Sequence, residues 1–250
     1  MRRDKFHAEE LLTRFEDRRE IQNLMGILSG YYLIKKEGDI FKDLWSARED
    51  VSLGLNHGYY VGKTAVSEYY KVLGDMVVFK SGLIAQGLPR EKTEHLTEAE
   101  RKGMGLIDYR SLDTSVLEIA EDRQTAKGIW YCRGSYADVT TKGPVSYWLW
   151  QYYAVDFILE DNTWKIWHML QVSDADTPCG RKWSAPAVDY PELEAFATAE
   201  DIQLPLPTVQ CVVRECYSPL RKWTPSPRLP EEYDTFANTF SYGYEEKVRA

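Results

Sequence analysis

Tyr147-Trp148-Leu149-Trp150-Gln151-Tyr152-Tyr153-Ala154-Val155-Asp156-Phe157 and, past Glu160-Asp161-Asn162, Thr163-Trp164-Lys165-Ile166-Trp167-His168 decide the fold of this chain. Both stretches are crowded with aromatic and β-branched residues, which suit a pleated, half-buried surface. The Glu-Asp-Asn between them is rich in residues that accept tight-turn backbone. The two therefore read as a hairpin of long strands. Upstream, Glu121-Asp122-Arg123-Gln124 is a second such turn, and Thr125-Ala126-Lys127-Gly128-Ile129-Trp130-Tyr131 a third aromatic strand. Long antiparallel strands with this many rings curve around something, either a core or a binding chamber.

Working outward, strands are expected over Ser115 to Ala120, Ala126 to Tyr136, Val145 to Leu159 and Thr163 to Val172. Ahead of them, Ile21, Leu24, Leu28 and Tyr31 or Tyr32 recur at helical spacing from Asp17 to Glu37. Gly38 is expected to end that helix. Asp39 caps a short second helix with Ile40, Phe41, Leu44 and Trp45 on its buried side. Val51 to Leu55 and Tyr59 to Val61 read as short strands about the turn Asn56-His57-Gly58. A third helix opens at Gly62-Lys63-Thr64 and runs to Gly74. Residues 80–105 break the rhythm and read as an insertion, in which Thr97-Glu98-Ala99-Glu100 matches a capping box. Helices followed by a run of strands predict an α+β domain over residues 1–178, its helices packed on one face of a bent antiparallel sheet. From 179 to 250 proline is concentrated, between Pro186 and Pro230, among Tyr190, Phe196, Tyr217, Trp223, Tyr233, Phe236 and Phe240. So aromatic a tail is expected to wrap the domain or a neighbouring subunit.

The chain has 250 residues, is 44% hydrophobic and carries a net charge of −8. A substantial core is affordable at that composition. The acidic balance argues against nucleic acid or an anionic membrane as partner, since both call for a basic footprint. The N-terminus lacks the apolar stretch of a signal peptide. Four cysteines, Cys132, Cys179, Cys211 and Cys216, include no CxxC pair and suggest reduced thiols in the cytoplasm. With four scattered histidines they form no metal-binding pattern, and neither a phosphate loop nor a dinucleotide fingerprint occurs, so neither metal nor cofactor is expected.

Two segments resemble a known family. Arg19-Glu20-Ile21-Gln22-Asn23-Leu24, Tyr32, Gly38-Asp39 and Tyr60-Val61-Gly62-Lys63-Thr64-Ala65-Val66 resemble the opening of SnoaL-like proteins in the NTF2-like superfamily. Val155 to Ile166 is similar to that family's ending. The resemblance implies a cone-shaped α+β fold, a curved sheet and helices enclosing an apolar pocket. It also implies cofactor-free proton transfer on aromatic or polycyclic substrates, as in polyketide cyclases, ketosteroid isomerase, scytalone dehydratase and bile-acid 7α-dehydratase. Tyr32 and Glu37 fall where relatives of the last type carry pocket residues. The histidine such relatives place upstream of the "A-x-G-x-W" strand is missing, replaced by Arg110-Ser111-Leu112-Asp113-Thr114-Ser115.

Strict alternation along the last strand puts Trp164, Ile166, His168 and Leu170 on one apolar face. His168 then projects inward as a general acid or base. The expected catalytic set is His168, Tyr32 and Glu37: His168 moving the proton, Tyr32 stabilising oxygen charge, Glu37 orienting. Substrate contacts are expected from Arg110, His57, Trp130, Trp148, Trp150 and Tyr152. Alternation leaves open which side of the long strand, Trp148/Trp150/Tyr152 or Tyr147/Leu149/Tyr153, meets the pocket. The sequence thus points to a lyase or isomerase acting on an apolar or aromatic small molecule, as a homodimer or higher homo-oligomer. The alternative is a non-catalytic binder of the same fold.

Overall fold

The computed structural model describes residues 7–140, 143–180, 202–217, 221–222 and 226–245. The first helix, α1 (Ala8–Leu33), buries Ile21, Leu24, Met25, Leu28 and Tyr32 on one face. It stops earlier than the sequence suggests. Lys35 takes the left-handed conformation (φ 59°), while the Lys36 N–H donates back to the Tyr31 carbonyl at 2.8 Å. That bond satisfies a carbonyl the helix end would otherwise orphan. Gly38 lies beyond, in a 3₁₀ turn (Glu37–Asp39) leading into α2 (Ile40–Leu44). Its role is close packing: a Cβ on Gly74 would lie 2.8 Å from the Gly38 Cα. Gly74 therefore does not end the next helix, and α3 runs on from Lys63 to Gln86. A mid-helix glycine costs about 1 kcal/mol, here in exchange for contact with the Glu37 turn.

Two short helices follow, α4 (Arg90–Thr93) and α5 (Glu98–Arg101), the latter held by the capping box of Thr97 and Glu100. The strands are β1 (Ser52–Leu55), β2 (Gly58–Val61), β3 (Ile107–Leu112), β4 (Val116–Ile119), β5 (Thr125–Thr140), β6 (Gly143–Glu160), β7 (Thr163–Pro178) and β8 (Val209–Gln210). They form one sheet in the order β3-β5-β6-β7-β1-β2-β8, with β4 also on β5. All pairs are antiparallel except β1 on β7. Strand β3, read from sequence only as a connection, pairs along its length with β5.

Two irregularities in the β6–β7 ladder set which residues face the helices. Asp156 pairs with His168 but Phe157 with Ile166, leaving Trp167 as an extra residue; Asp174 is extra likewise between Trp150 and Gln151. Each such bulge reverses the alternation of everything beyond it. Trp164, Ile166 and Met169 consequently share the main core with Phe157, Val155, Tyr153 and the buried side of α1. Leu170 belongs to the opposite face, beside Ile129, Ala154 and Tyr242. Strict alternation holds only as far as Ile166.

The tail returns across that opposite face. Strand β8 extends the sheet beside β2, and Tyr233 and Tyr242 are buried. Asn56 ties the β1–β2 turn to the tail, donating to the carbonyls of Ser173 and Arg214. No helix among the described residues is long and apolar enough to cross a membrane.

Candidate functional site

Between α3 and the inner face of the sheet lies a cavity of about 360 Å³. The α1 exit contributes Lys35 and Glu37, and α3 contributes Tyr69, Leu73, Met76, Val77 and Lys80. Strand β3 adds Asp108 and Arg110, β5 Tyr136 and Asp138, β6 Leu149 and Gln151, and β7 Gln171, Ser173 and Asp176. Asn56 and His57 of the β1–β2 turn and Leu204 of the tail complete the wall. The sequence leads one to expect an apolar, aromatic lining. The wall is mixed: Leu55, Leu73, Met76, Val77, Ile107 and Leu149 supply an apolar side, and charged and amide side chains the rest, with the reversal after Trp167 bringing Gln171 and Ser173 round to this side.

Arg110 anchors the polar network. Its guanidinium donates to both Asp108 carboxylate oxygens at 2.9 Å and to the Tyr153 hydroxyl at 2.9 Å. It also stacks 3.5 Å from the centre of the Tyr32 ring. Burial works against its charge, but Tyr153 and Asp108 more than offset that and keep it firmly protonated. The Tyr32 hydroxyl donates to Gln171 Oε1 at 3.1 Å, and burial holds its proton well above the usual phenol range. Lys80 reaches Asp138 at 2.7 Å, and Tyr136 donates to Asp176 at 2.8 Å.

Glu37 differs from these. Its side chain is 4% exposed, and its one ion pair, to Lys35, spans 3.5 Å. Its Oε2 is buried without a hydrogen-bond partner. Burial raises its pKa above the ordinary value of 4.5, with Lys35 only partly countering.

The structure thus brings Tyr32, Glu37, Arg110 and His57 to or against one cavity. It does not bring the other expected residues there. Trp130 packs edge-on against Phe157 within the core. Trp148, Trp150 and Tyr152 point to the opposite face: Trp148 is 45% exposed, and Tyr152 bonds Asp174 at 2.7 Å beneath Arg214. On β6 the inner side is that of Tyr147, Leu149, Gln151 and Tyr153.

His168 is also on the outer face, carried there by the Trp167 bulge. Its Nδ1 lies 3.0 Å from Asp156 Oδ2 and its Nε2 3.1 Å from the Asp50 carbonyl. The Lys127 Nζ donates to Asp156 at 2.6 Å, both side chains being wholly buried. Ser241 Oγ and the Tyr242 N–H donate to the same carboxylate, each at 2.8 Å. Tail rings of Phe236, Phe240, Tyr242 and Tyr233 surround the Lys127 ammonium at 4.5 to 5.8 Å. This cluster fastens the tail to the sheet.

Sequence reasoning missed Asp108, Gln151, Gln171 and Asp176 as lining residues. Asp108 could be found by reading Ile107 to Leu112 as a strand with Asp108 and Arg110 on one face. Gln171 could not, since the Trp167 bulge reverses the alternation ahead of it; Asp176 could, because the second bulge, at Asp174, restores the parity of Trp164 and Ile166. Among the described residues no group of three or more His, Cys, Asp and Glu side chains is arranged to hold a metal ion.

No protein-family model and no curated protein sequence matches this chain. Helices leading through a turn into a curved, unclosed antiparallel sheet, with a cavity between, make the architecture plain. It is the α+β arrangement that the resemblance to NTF2-like proteins implies. Solved structures with a distant likeness include hexachlorocyclohexane dehydrochlorinase LinA-type3 from Novosphingobium barchaimii, 16% identical over 70% of this chain and 98% of that one, TM-score 0.45. Another is a putative scytalone dehydratase from Novosphingobium aromaticivorans, 13% identical over 68% and 97%, TM-score 0.46. A third, an NTF2-like protein with a cystatin-like fold from the same species, is 13% identical over 68% and 91%, TM-score 0.41. Likenesses so remote carry neither activity nor ligand to this chain.

Proposed function

We propose that the cavity is the active site of a cofactor-independent lyase or isomerase in which Glu37 moves the proton. The supporting observation is the Glu37 carboxyl: buried, beside a cavity, with an unpartnered Oε2 and a pKa raised by burial. A buried acceptor without a partner costs about 1–3 kcal/mol, so the Glu37 carboxyl is poorly satisfied where its residue borders the cavity. A raised carboxyl pKa also makes a stronger base.

The Glu37 carboxylate takes a proton from a carbon next to a carbonyl, and the C–H electron pair moves to the carbonyl oxygen. Gln171, its Oε1 occupied by Tyr32, offers its amide N–H groups to the resulting enolate. The proton then returns to a different carbon, an isomerisation, or a β-substituent departs with the electron pair, an elimination. Tyr32 and Arg110 are positioning residues. His168 has no part in this chemistry, and the mixed wall suits a substrate with an apolar body and a carbonyl.

The experiment is proton exchange in D₂O with a panel of polar ketones and hydroxyketones, read by mass spectrometry. Glu37→Gln should lower exchange or elimination by about 10²–10⁴, the usual size of acid–base help. Unchanged rates in that variant would sink the assignment. Binding without exchange or elimination by the wild type would favour a non-catalytic binder.

A further inference from the structure

The lining of the cavity changes from one end to the other. On α3, Tyr69, Leu73, Met76, Val77 and Lys80 reach it as a single stripe. Lys80 marks the outer end, where it holds Asp138 at 2.7 Å close to the tip of the β5–β6 hairpin. Tyr69 lies three turns earlier, about 16 Å back along the helix. Strand β7 runs in the same sense: Asp176 is toward the outer end, bonded to Tyr136 at 2.8 Å, and Gln171 is the innermost of its lining residues. Tyr69 and Gln171 therefore flank the same, inner end from facing walls. Each is only 7% exposed, and each keeps a donor free. Gln171 Oε1 accepts from Tyr32, which leaves its amide N–H groups without a partner among the described residues. The Tyr69 hydroxyl likewise has none there. Unlike the hydroxyl of Tyr70, which is sealed in the core beside Trp45, it borders open space. Its ring is fixed by Tyr60 at 4.8 Å and by Tyr70, edge-on, at 5.2 Å. Burial keeps its proton on well beyond the usual phenol range, with Arg110 only partly countering.

We infer that Tyr69 and Gln171 together receive the carbonyl oxygen of the substrate, the Tyr69 hydroxyl donating from the helix side and the Gln171 amide from the sheet. This rests on the proposed active site, and it adds a second donor there and an orientation. The carbonyl faces the inner end, and the apolar body of the substrate lies along Leu73, Met76 and Val77 toward the outer one. Glu37 enters on the side of the carbon skeleton, where Gly38 packs on Gly74 a little more than one turn past Tyr69. As the C–H electron pair moves to the oxygen, both hydrogen bonds strengthen against the growing charge, and neither donor gives up its proton. Donors held by packing before that charge forms need no reorganisation when it does.

The test uses two probes of similar shape against the full chain: acetophenone labelled at its carbonyl carbon, and ethylbenzene, which lacks the oxygen. Affinities come from titration calorimetry and the state of the carbonyl from ¹³C NMR. In the wild type the carbonyl resonance of bound acetophenone should lie downfield of its position in cyclohexane, as hydrogen bonds to the oxygen require. Tyr69→Phe keeps the ring and removes a hydroxyl that bonds no other described residue. It should move that resonance upfield and weaken acetophenone about three- to tenfold, the size of one net hydrogen bond, while ethylbenzene stays within about twofold. Gln171→Leu should move the resonance in the same direction. The inference falls if the wild-type resonance sits at its cyclohexane position, a result that needs no variant to fold. It falls equally if Tyr69→Phe leaves the resonance unmoved, if that variant weakens both probes alike, as lost packing would, or if acetophenone does not bind at millimolar concentration. None of these outcomes depends on turnover. Failure of the Glu37 assignment would appear in proton exchange alone, and the two readings therefore fail separately.

Discussion

Glu37 is held in an unfavourable place, and that has a stability signature distinct from its catalytic one. Burial raises its pKa in the folded chain above the ordinary 4.5. Between those two values the folded state binds more protons than the unfolded, so stability is fully present below the ordinary value and declines as pH rises through the folded one. At neutral pH the ionised carboxyl is a net burden. Glu37→Gln removes the ionisation while keeping the shape, and should raise the denaturant midpoint at pH 7 while losing activity. The difference should close toward pH 4, where both side chains are neutral. Urea titrations at pH 4, 5.5 and 7 measure this. A midpoint lowered at every pH would mean that the Lys35 contact outweighs desolvation. Wild-type turnover should also rise with pH through a pKa above 4.5, since the base must be ionised.

At the scale of the strand, one extra residue decides what His168 does. The bulge at Trp167 puts its imidazole against Asp156 and the tail, with its ring stacked on Trp167 at 4.4 Å. Gly243 approaches so closely that a Cβ there would lie 2.7 Å from His168 Cγ. Gly243→Ala should therefore cost about 1–3 kcal/mol by overpacking and expose the tail to limited proteolysis. Ligand affinity in the cavity should stay within about twofold for this variant and for His168→Ala. A large loss of affinity in both would mean that the outer cluster reaches the cavity. The same bulge marks the limit of what the sequence makes legible. The hairpin of β6 and β7, the α1 core face, the capping box at Thr97 and the order of elements follow from local pattern. Tyr32, Glu37 and Arg110 are likewise reached through their positions ahead of the turn and before the strand. A bulge leaves no mark of that kind in Lys165-Ile166-Trp167-His168, because its cause is tertiary: Phe157 and Ile166 are drawn to the core and Asp156 and His168 to the tail. Gln171 is lost to the reading for the same reason.

Across the whole molecule, the sheet works on both faces, with a cavity of mixed lining under the helices and an ionic fastening under the tail. Burial alone would push the Asp156 carboxyl upward, but the His168 hydrogen bond and the Lys127 charge outweigh it and hold it below the ordinary 3.8. For a carboxyl so depressed, stability is present above the ordinary value and lost as pH falls through the folded one. The tail should consequently loosen in acid below about pH 4 before the helices do, as seen in hydrogen exchange of residues 226–245. Asp156→Ala at pH 7 should cost about 3–5 kcal/mol, because it strands the Lys127 ammonium without a counter-charge. Replacing both partners, as Lys127→Met with Asp156→Leu, removes the stranded charge and should recover part of that loss. Recovery should be incomplete, since Asp156 also accepts from the Tyr242 N–H and Ser241 Oγ. A buried amide left without an acceptor costs about 1–3 kcal/mol. Guanidinium unfolding of the three proteins orders them: wild type most stable, then the double variant, then Asp156→Ala. A double variant as weak as the single one would show that the tail is fastened by the Asp156 hydrogen bonds, with the ion pair contributing nothing.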